Sequence, residues 1–148
     1  MSDRLRAFVR ESNRIEGIKR APTEKEIAAH RAFLALDRLT VQDVSRFVRE
    51  IAAAPLRCRP GMDVRVGHHA PPRGGPHITD QLAALLVSVS ARTIDSFAAH
   101  IQYETLHPYM DGNGRSGRAI WLWLEGGLAP IGFLHRFYNQ TLDASQRK

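Results

Sequence analysis

The stretch HPYMDGNGRSGR, residues 107–118, decides how the chain is built. It lies between two segments of helical period and holds Gly112, Gly114 and Gly117. Gly112, Asn113 and Gly114 are the residue types that enter positive φ at least cost. A tight turn therefore joins two helices here. Such a turn aims successive N–H groups at one point, and the departing helix adds the positive end of its dipole. Arg115 and Arg118 are three apart and share a helix face. Two guanidiniums beside an N–H nest suit several phosphates rather than one. Asp111 offers the hard oxygen that Mg²⁺ takes together with phosphate oxygens. His107, held by Pro108 and anchored by Tyr109, is the one base of neutral pH in the cluster. A plain helix connection needs none of this chemistry.

Two phosphate-binding patterns are ruled out. Gly112-x-Gly114-x-x-Gly117 has dinucleotide-fingerprint spacing, but that fingerprint needs a preceding strand and an acidic residue about 20 positions on. Neither is present. There is no GxxxxGK[ST] phosphate loop either.

Outward from the turn the pattern is mostly helical. Leu5, Phe8, Val9, Ile15 and Ile18 form an imperfect stripe over 3–19, which Pro22 ends. Thr23 and Glu26 have capping-box spacing and open a second helix. Thr40 caps a third, carrying Val44, Phe47, Val48 and Ile51, and Pro55 stops it. Helices resume near Thr79 and again near Thr93. Another starts near Arg115 and closes at Gly126-Gly127, and a last one covers roughly 133–144. Residues 55–78 hold five prolines and four glycines, which forbids a long helix. Within them Val64-Arg65-Val66 alternates, so a short hairpin with a solvated tip is expected. The expected fold class is all-α: one compact helical domain with a single small β-hairpin.

Composition agrees. The 148 residues carry 21 Lys and Arg against 15 Asp and Glu, a formal charge of +6, with a pI near 10.2. Most of the excess lies before residue 66. A solvated Arg-rich surface explains it better than a nucleic-acid site, because no basic block or aromatic-interleaved stretch is present. The single Cys58 forms no internal disulfide, which fits a reducing compartment. The longest apolar runs are six residues, against about 20 for a bilayer span. No membrane association is expected, and no signal-peptide core is visible at the N-terminus.

The 107–118 segment resembles the signature of the Fic family, HPF-x-(D/E)-GNGR-x-x-R. It departs only at the aromatic, where Tyr109 stands. The resemblance extends along the chain, with the Val64-Arg65-Val66 hairpin, in a flap of about 58–72, where the family docks its target. It implies a Fic catalytic domain over 21–148 that moves AMP from ATP to a Ser, Thr or Tyr hydroxyl of a target protein. By the same resemblance His107 is the base, Asp111 the Mg²⁺ ligand, and Gly112, Asn113 and Gly114 the anion cradle, Asn113 also bonding the α-phosphate. Arg115 holds the β-phosphate and Arg118 the γ-phosphate. Tyr138 resembles the aromatic placed beside adenine, though a core tyrosine is nearly as apt. The Doc-like branch, which acts as a kinase, has Lys at the second cradle glycine; the intact Gly114-Arg115 favours AMP transfer.

Ser12-Asn13-Arg14-Ile15-Glu16-Gly17 resembles the family's (S/T)-xxx-E-(G/N) inhibitory pattern. That implies an inhibitory helix over 1–20 whose Glu16 pairs with Arg118 and displaces the γ-phosphate. Ser12 and Glu16, four apart, share a helix face. Two rivals keep the site but change its use: a different group transfer or removal of AMP by water, and a phosphate-binding module without turnover. The expected location is the cytoplasm, with delivery into another cell left open. Neither the target nor the oligomeric state is legible. His68, His69 and His77 match no zinc spacing and read as loop histidines. His100, Trp121 and Trp123 read as packed residues.

Overall fold

A computed structural model describes residues 2–127 of the chain. Thr23 and Thr40 act as their positions predict. Each side chain accepts a bond from the backbone N–H three residues on, and Glu26 and Asp43 reciprocate. They open α2 (Glu24–Leu34) and α3 (Val41–Ala52), which follow α1 (Ser2–Ile15). α4 (Pro76–Ser90) begins three residues before the predicted start, because Pro76 sits at the first helical turn where its missing N–H costs nothing. α5 (Ser96–Leu106) begins after Thr93, capped instead by the Asp95 carboxylate. α6 (Asn113–Leu124) starts inside the glycine turn.

α6 is central. Every residue from Asn113 to Trp123 is buried, and α1, α2, α3 and α5 all pack against it. The main core joins α2 to α6 through residues such as Phe33, Phe47, Leu82, Tyr103 and Ile120. A smaller cluster, Phe8, Val9, Ile27, Trp121 and Leu122, seats α1 on α2 and α6. Trp121 and Trp123 are core residues, as expected.

α1 ends at Ile15, short of the predicted 19, and the reason is local. Gly17 has φ +80, Ile18 N–H bonds Asn13 O (3.0 Å) and Gly17 N–H bonds Arg14 O (2.9 Å). This is a Schellman cap with Gly17 as its left-handed residue. The expected β-hairpin is not formed as strands. Val66 and His69 make one isolated pair, exchanging both backbone bonds (3.1 and 2.9 Å) around Gly67-His68. Pro71 and Pro72 lack N–H groups, so the pairing cannot propagate. The predicted last helix and Tyr138 lie outside the described residues. Among the described residues no helix is long and apolar enough to cross a membrane.

Candidate active site

The turn after α5 is built by conformation before chemistry. His107 caps α5 in the left-handed region (φ 49) and Gly112 enters α6 at φ 80. Asn113 holds the loop between them: its Oδ1 accepts from Tyr109 N–H (2.8 Å) and its Nδ2 donates to Tyr109 O (2.7 Å). The side chain expected to bond an α-phosphate is thus engaged with its own turn. Tyr109 is wholly buried, and its hydroxyl meets Ser45 Oγ at 2.7 Å. That partner explains how a tyrosine stands where the signature has phenylalanine: a buried hydroxyl without a bond would be costly.

The turn faces a cleft of about 320 Å³. It is lined by the cradle residues Gly112, Asn113 and Gly114, by His107, Met110 and Asp111, by Val64, Arg65 and Val66 of the flap, and by Glu16. The three flap residues singled out in sequence therefore reach the site even though no hairpin forms. His107 Nδ1 lies 3.2 Å from the Glu104 carbonyl. A carbonyl only accepts, so Nδ1 carries the proton and Nε2 keeps its lone pair. Burial, above all, lowers the imidazole below its ordinary pKa; the Glu104 carbonyl opposes this, while nearby Arg57 adds to it. The ring is therefore neutral at pH 7 and able to take a proton. Asp111 is exposed, and its Oδ1 accepts from Gly112 N–H (2.7 Å). Its Oδ2 has no partner among the described residues. A single carboxylate at the lip of an N–H nest fits Mg²⁺ shared with phosphate oxygens.

The two signature arginines are both buried but do different things. Arg115 Nη1 donates to Ile51 O at the end of α3 (3.1 Å). Its Nε is buried with no partner among the described residues. Arg118 turns to α1 instead. Its Nε donates to Ser12 Oγ (2.9 Å), and its Nη2 donates to Ser12 O (2.9 Å) and Glu16 Oε2 (2.7 Å). Arg118 is wholly buried; the Glu16 side chain is 33% exposed. Gly114 is required for this pair. A Cβ there would collide with the Glu16 carboxylate and sit 3.1 Å from Arg118 Nη1. The structure thus brings Ser12, Glu16, Gly114 and Arg118 to one point, and Gly17 serves by shaping the turn that delivers Glu16.

Three residues near the site gave little signal in the sequence. Ser45 is one. Glu104 is another: it is buried over Gly117, where a Cβ would lie 2.6 Å from its Oε1, and burial pushes its carboxyl up to about 8. It is the sole acid of α5, which is its only mark. Arg57 is the third, wholly buried beneath His107. His100 is packed as expected, its Nδ1 3.4 Å from Gly117 O, and burial lowers its pKa to about 4. The model of the Fic/DOC family matches residues 23–124, from the cap of α2 to the end of α6. No curated protein matches the chain.

Proposed function

The chain belongs to the Fic/DOC family, a family of transferases, and from that premise we propose that it is an Mg²⁺- and ATP-dependent protein adenylyltransferase restrained by its own α1. The observation that carries this reading is the cleft itself. A neutral His107, whose Nδ1 is engaged and whose Nε2 keeps its lone pair, lines one cleft together with the glycine nest at the N-terminus of α6 and three flap residues.

In this reading ATP lays its phosphates on the nest and a target segment lies along Val64-Arg65-Val66. His107 Nε2 takes the proton of the target hydroxyl. The oxygen attacks the α-phosphorus, the bond to the bridging oxygen breaks, and pyrophosphate leaves. Charge develops on phosphate oxygens, so fixed N–H donors and guanidiniums supply most of the stabilisation. Mg²⁺ held by Asp111 would offset the charge of the departing pyrophosphate. Arg118 is the donor available to a γ-phosphate, and Glu16 holds it. Self-restraint follows from that competition.

The family also contains phosphoryl-transferring members, and the label separates the two chemistries. Purified protein, in parent form and as Glu16→Gly, is incubated with Mg²⁺ and ATP labelled at the α- or the γ-phosphate. Covalent α-label on protein, with the added mass of AMP, is the expected result. Label from the γ-position alone makes the protein a kinase. Loss of pre-attached AMP makes it a hydrolase. No covalent label from either, with ATP bound, makes it a binding module.

A further inference from the structure

Arg57 is a buried cation without a carboxylate bonded to it among the described residues. All four of its side-chain bonds go to main-chain carbonyls. Nε donates to His107 O (2.6 Å) and Nη2 to Leu106 O (2.8 Å). Nη1 donates to Met62 O (3.1 Å) and Pro72 O (2.8 Å). The first two carbonyls close the C-terminus of α5, where a cation meets the negative end of the helix dipole. The other two lie at either end of the flap loop. Arg57's own backbone joins the same places: its N–H bonds Pro108 O (2.9 Å) and its carbonyl accepts from Gly75 N–H (3.0 Å). Taking a guanidinium out of water is costly unless its donors are satisfied. Here the bonding pattern says what the cost secures. One planar, rigid group fixes the peptide that carries the base and both roots of the flap.

We propose that Arg57 is a positioning residue, tying the flap roots to the His107 carbonyl so that target placement and base orientation are set together. This rests on His107 being the base of the reaction proposed above. The left-handed φ of His107 aims its ring into the cleft, and the carbonyl following that φ is the one Arg57 grips. His69 adds a second tie, with Nε2 2.9 Å from Thr105 O on α5. The titratable and charged groups bearing on the His107 ring are Arg57, His69 and Glu16. Removing the Arg57 charge relieves one of the influences that hold the imidazole down.

The test uses Arg57→Lys and Arg57→Met in the full chain carrying Glu16→Gly. The His107 imidazole is titrated by NMR and AMP incorporation is followed across pH. Lys keeps the charge but cannot fork to four carbonyls. It should leave the His107 titration near the parent's while lowering turnover by about 10²-fold, with ATP affinity within about twofold, because a base misplaced by an ångström costs that much. Met should lower turnover equally and move the His107 titration upward. Parent-like turnover in Arg57→Lys, or a His107 titration unmoved in Arg57→Met, overturns the proposal. The titration reads Arg57 even where no AMP transfer occurs, so the failure of the transferase reading shows itself separately. If neither variant folds, the Glu16→Gly parent decides. A slowly exchanging Arg57 Nε–H with resolved Nη protons supports the clamp; signals averaged with water refute it.

Discussion

Replacing Glu16 by Gly tests the restraint most directly. In the parent, the Arg118 guanidinium bonds Ser12 of α1 twice and Glu16, just past the end of α1, once, and the shortest bond, at 2.7 Å, is the one to Glu16. A hydrogen bond between charged partners contributes about 1.5–3 kcal/mol, equivalent to about 10- to 150-fold in an equilibrium. Arg118 is fully buried, which favours the upper part of that range, but the Glu16 side chain is 33% exposed, and solvent screening pulls it down. The two bonds to Ser12 remain in the variant and keep part of the guanidinium occupied. The expected gain in productive ATP use is therefore near the lower bound, about 10-fold. An intramolecular carboxylate has a high effective concentration, so raising ATP alone will not reproduce the gain. Gly exceeds Gln, whose amide oxygen still accepts from Arg118. The assay is incorporation of α-labelled AMP into the protein itself and into lysate proteins, at matched folded fraction. Equal incorporation by parent and variant refutes the restraint. It leaves the transferase reading standing, since that rests on residues 107–118.

His107→Ala should lower AMP transfer by about 10²–10⁴-fold while ATP binding, measured calorimetrically, stays near the parent's, because the nest lies apart from the ring. Asp111→Ala should abolish the response of the rate to added Mg²⁺, and an unchanged Mg²⁺ titration places the metal elsewhere. Glu104→Gln should stabilise the protein by about 1–3 kcal/mol at pH 8, read by urea unfolding. The folded carboxyl titrates near 8 and the unfolded one near its ordinary value, so between them the native state holds more protons and stability falls as pH rises; the gap between variant and parent should close toward pH 4. Phe8→Ala should cost about 3–5 kcal/mol if α1 unfolds only with the domain, and much less, with a gain in AMP transfer, if α1 undocks alone.

The features that were legible in sequence are those whose causes are local. Thr23 and Glu26 announce a capping box because the box is a four-residue object. Gly112 announces a turn because φ 80 is a demand one residue meets by itself. The starts of α4 and α5 were misplaced for reasons equally local, a proline at the first turn and a better cap in Asp95. The hairpin failed because alternation at Val64-Arg65-Val66 describes one strand, and the opposite run is broken by prolines after His69. The meeting of Glu16 and Arg118 spans 102 positions and came from the resemblance alone. Arg57 carried no signal at all. Its partners are carbonyls, which every residue has, so no pattern of side chains points to it.

The way α1 is attached decides how the proposed restraint would be lifted. Phe8 and Val9 are buried against Ile27, Trp121 and Leu122, and each such side chain is worth about 1.5–3 kcal/mol on burial. Undocking the helix forfeits both and leaves Trp121 facing water. Ser12 and Asn13 are buried as well, and Asn13 Nδ2 reaches Glu26 Oε1 at 3.4 Å. Glu16 lies beyond these anchors, on the cap, one residue before the left-handed Gly17. No Cβ contact fixes Gly17, since a side chain there would meet nothing within 4 Å; its φ alone requires glycine. Freeing Arg118 from Glu16 thus needs only a rotation of one partly solvated side chain or a loosening of the cap, while the apolar seat stays filled. The less costly route to an unrestrained site keeps α1 in place. In the proposed reading, the share of the restraint that Glu16 supplies is then set by the affinity of one carboxylate for one guanidinium, with the two Ser12 bonds left in place, and is open to any ligand that outcompetes that bond.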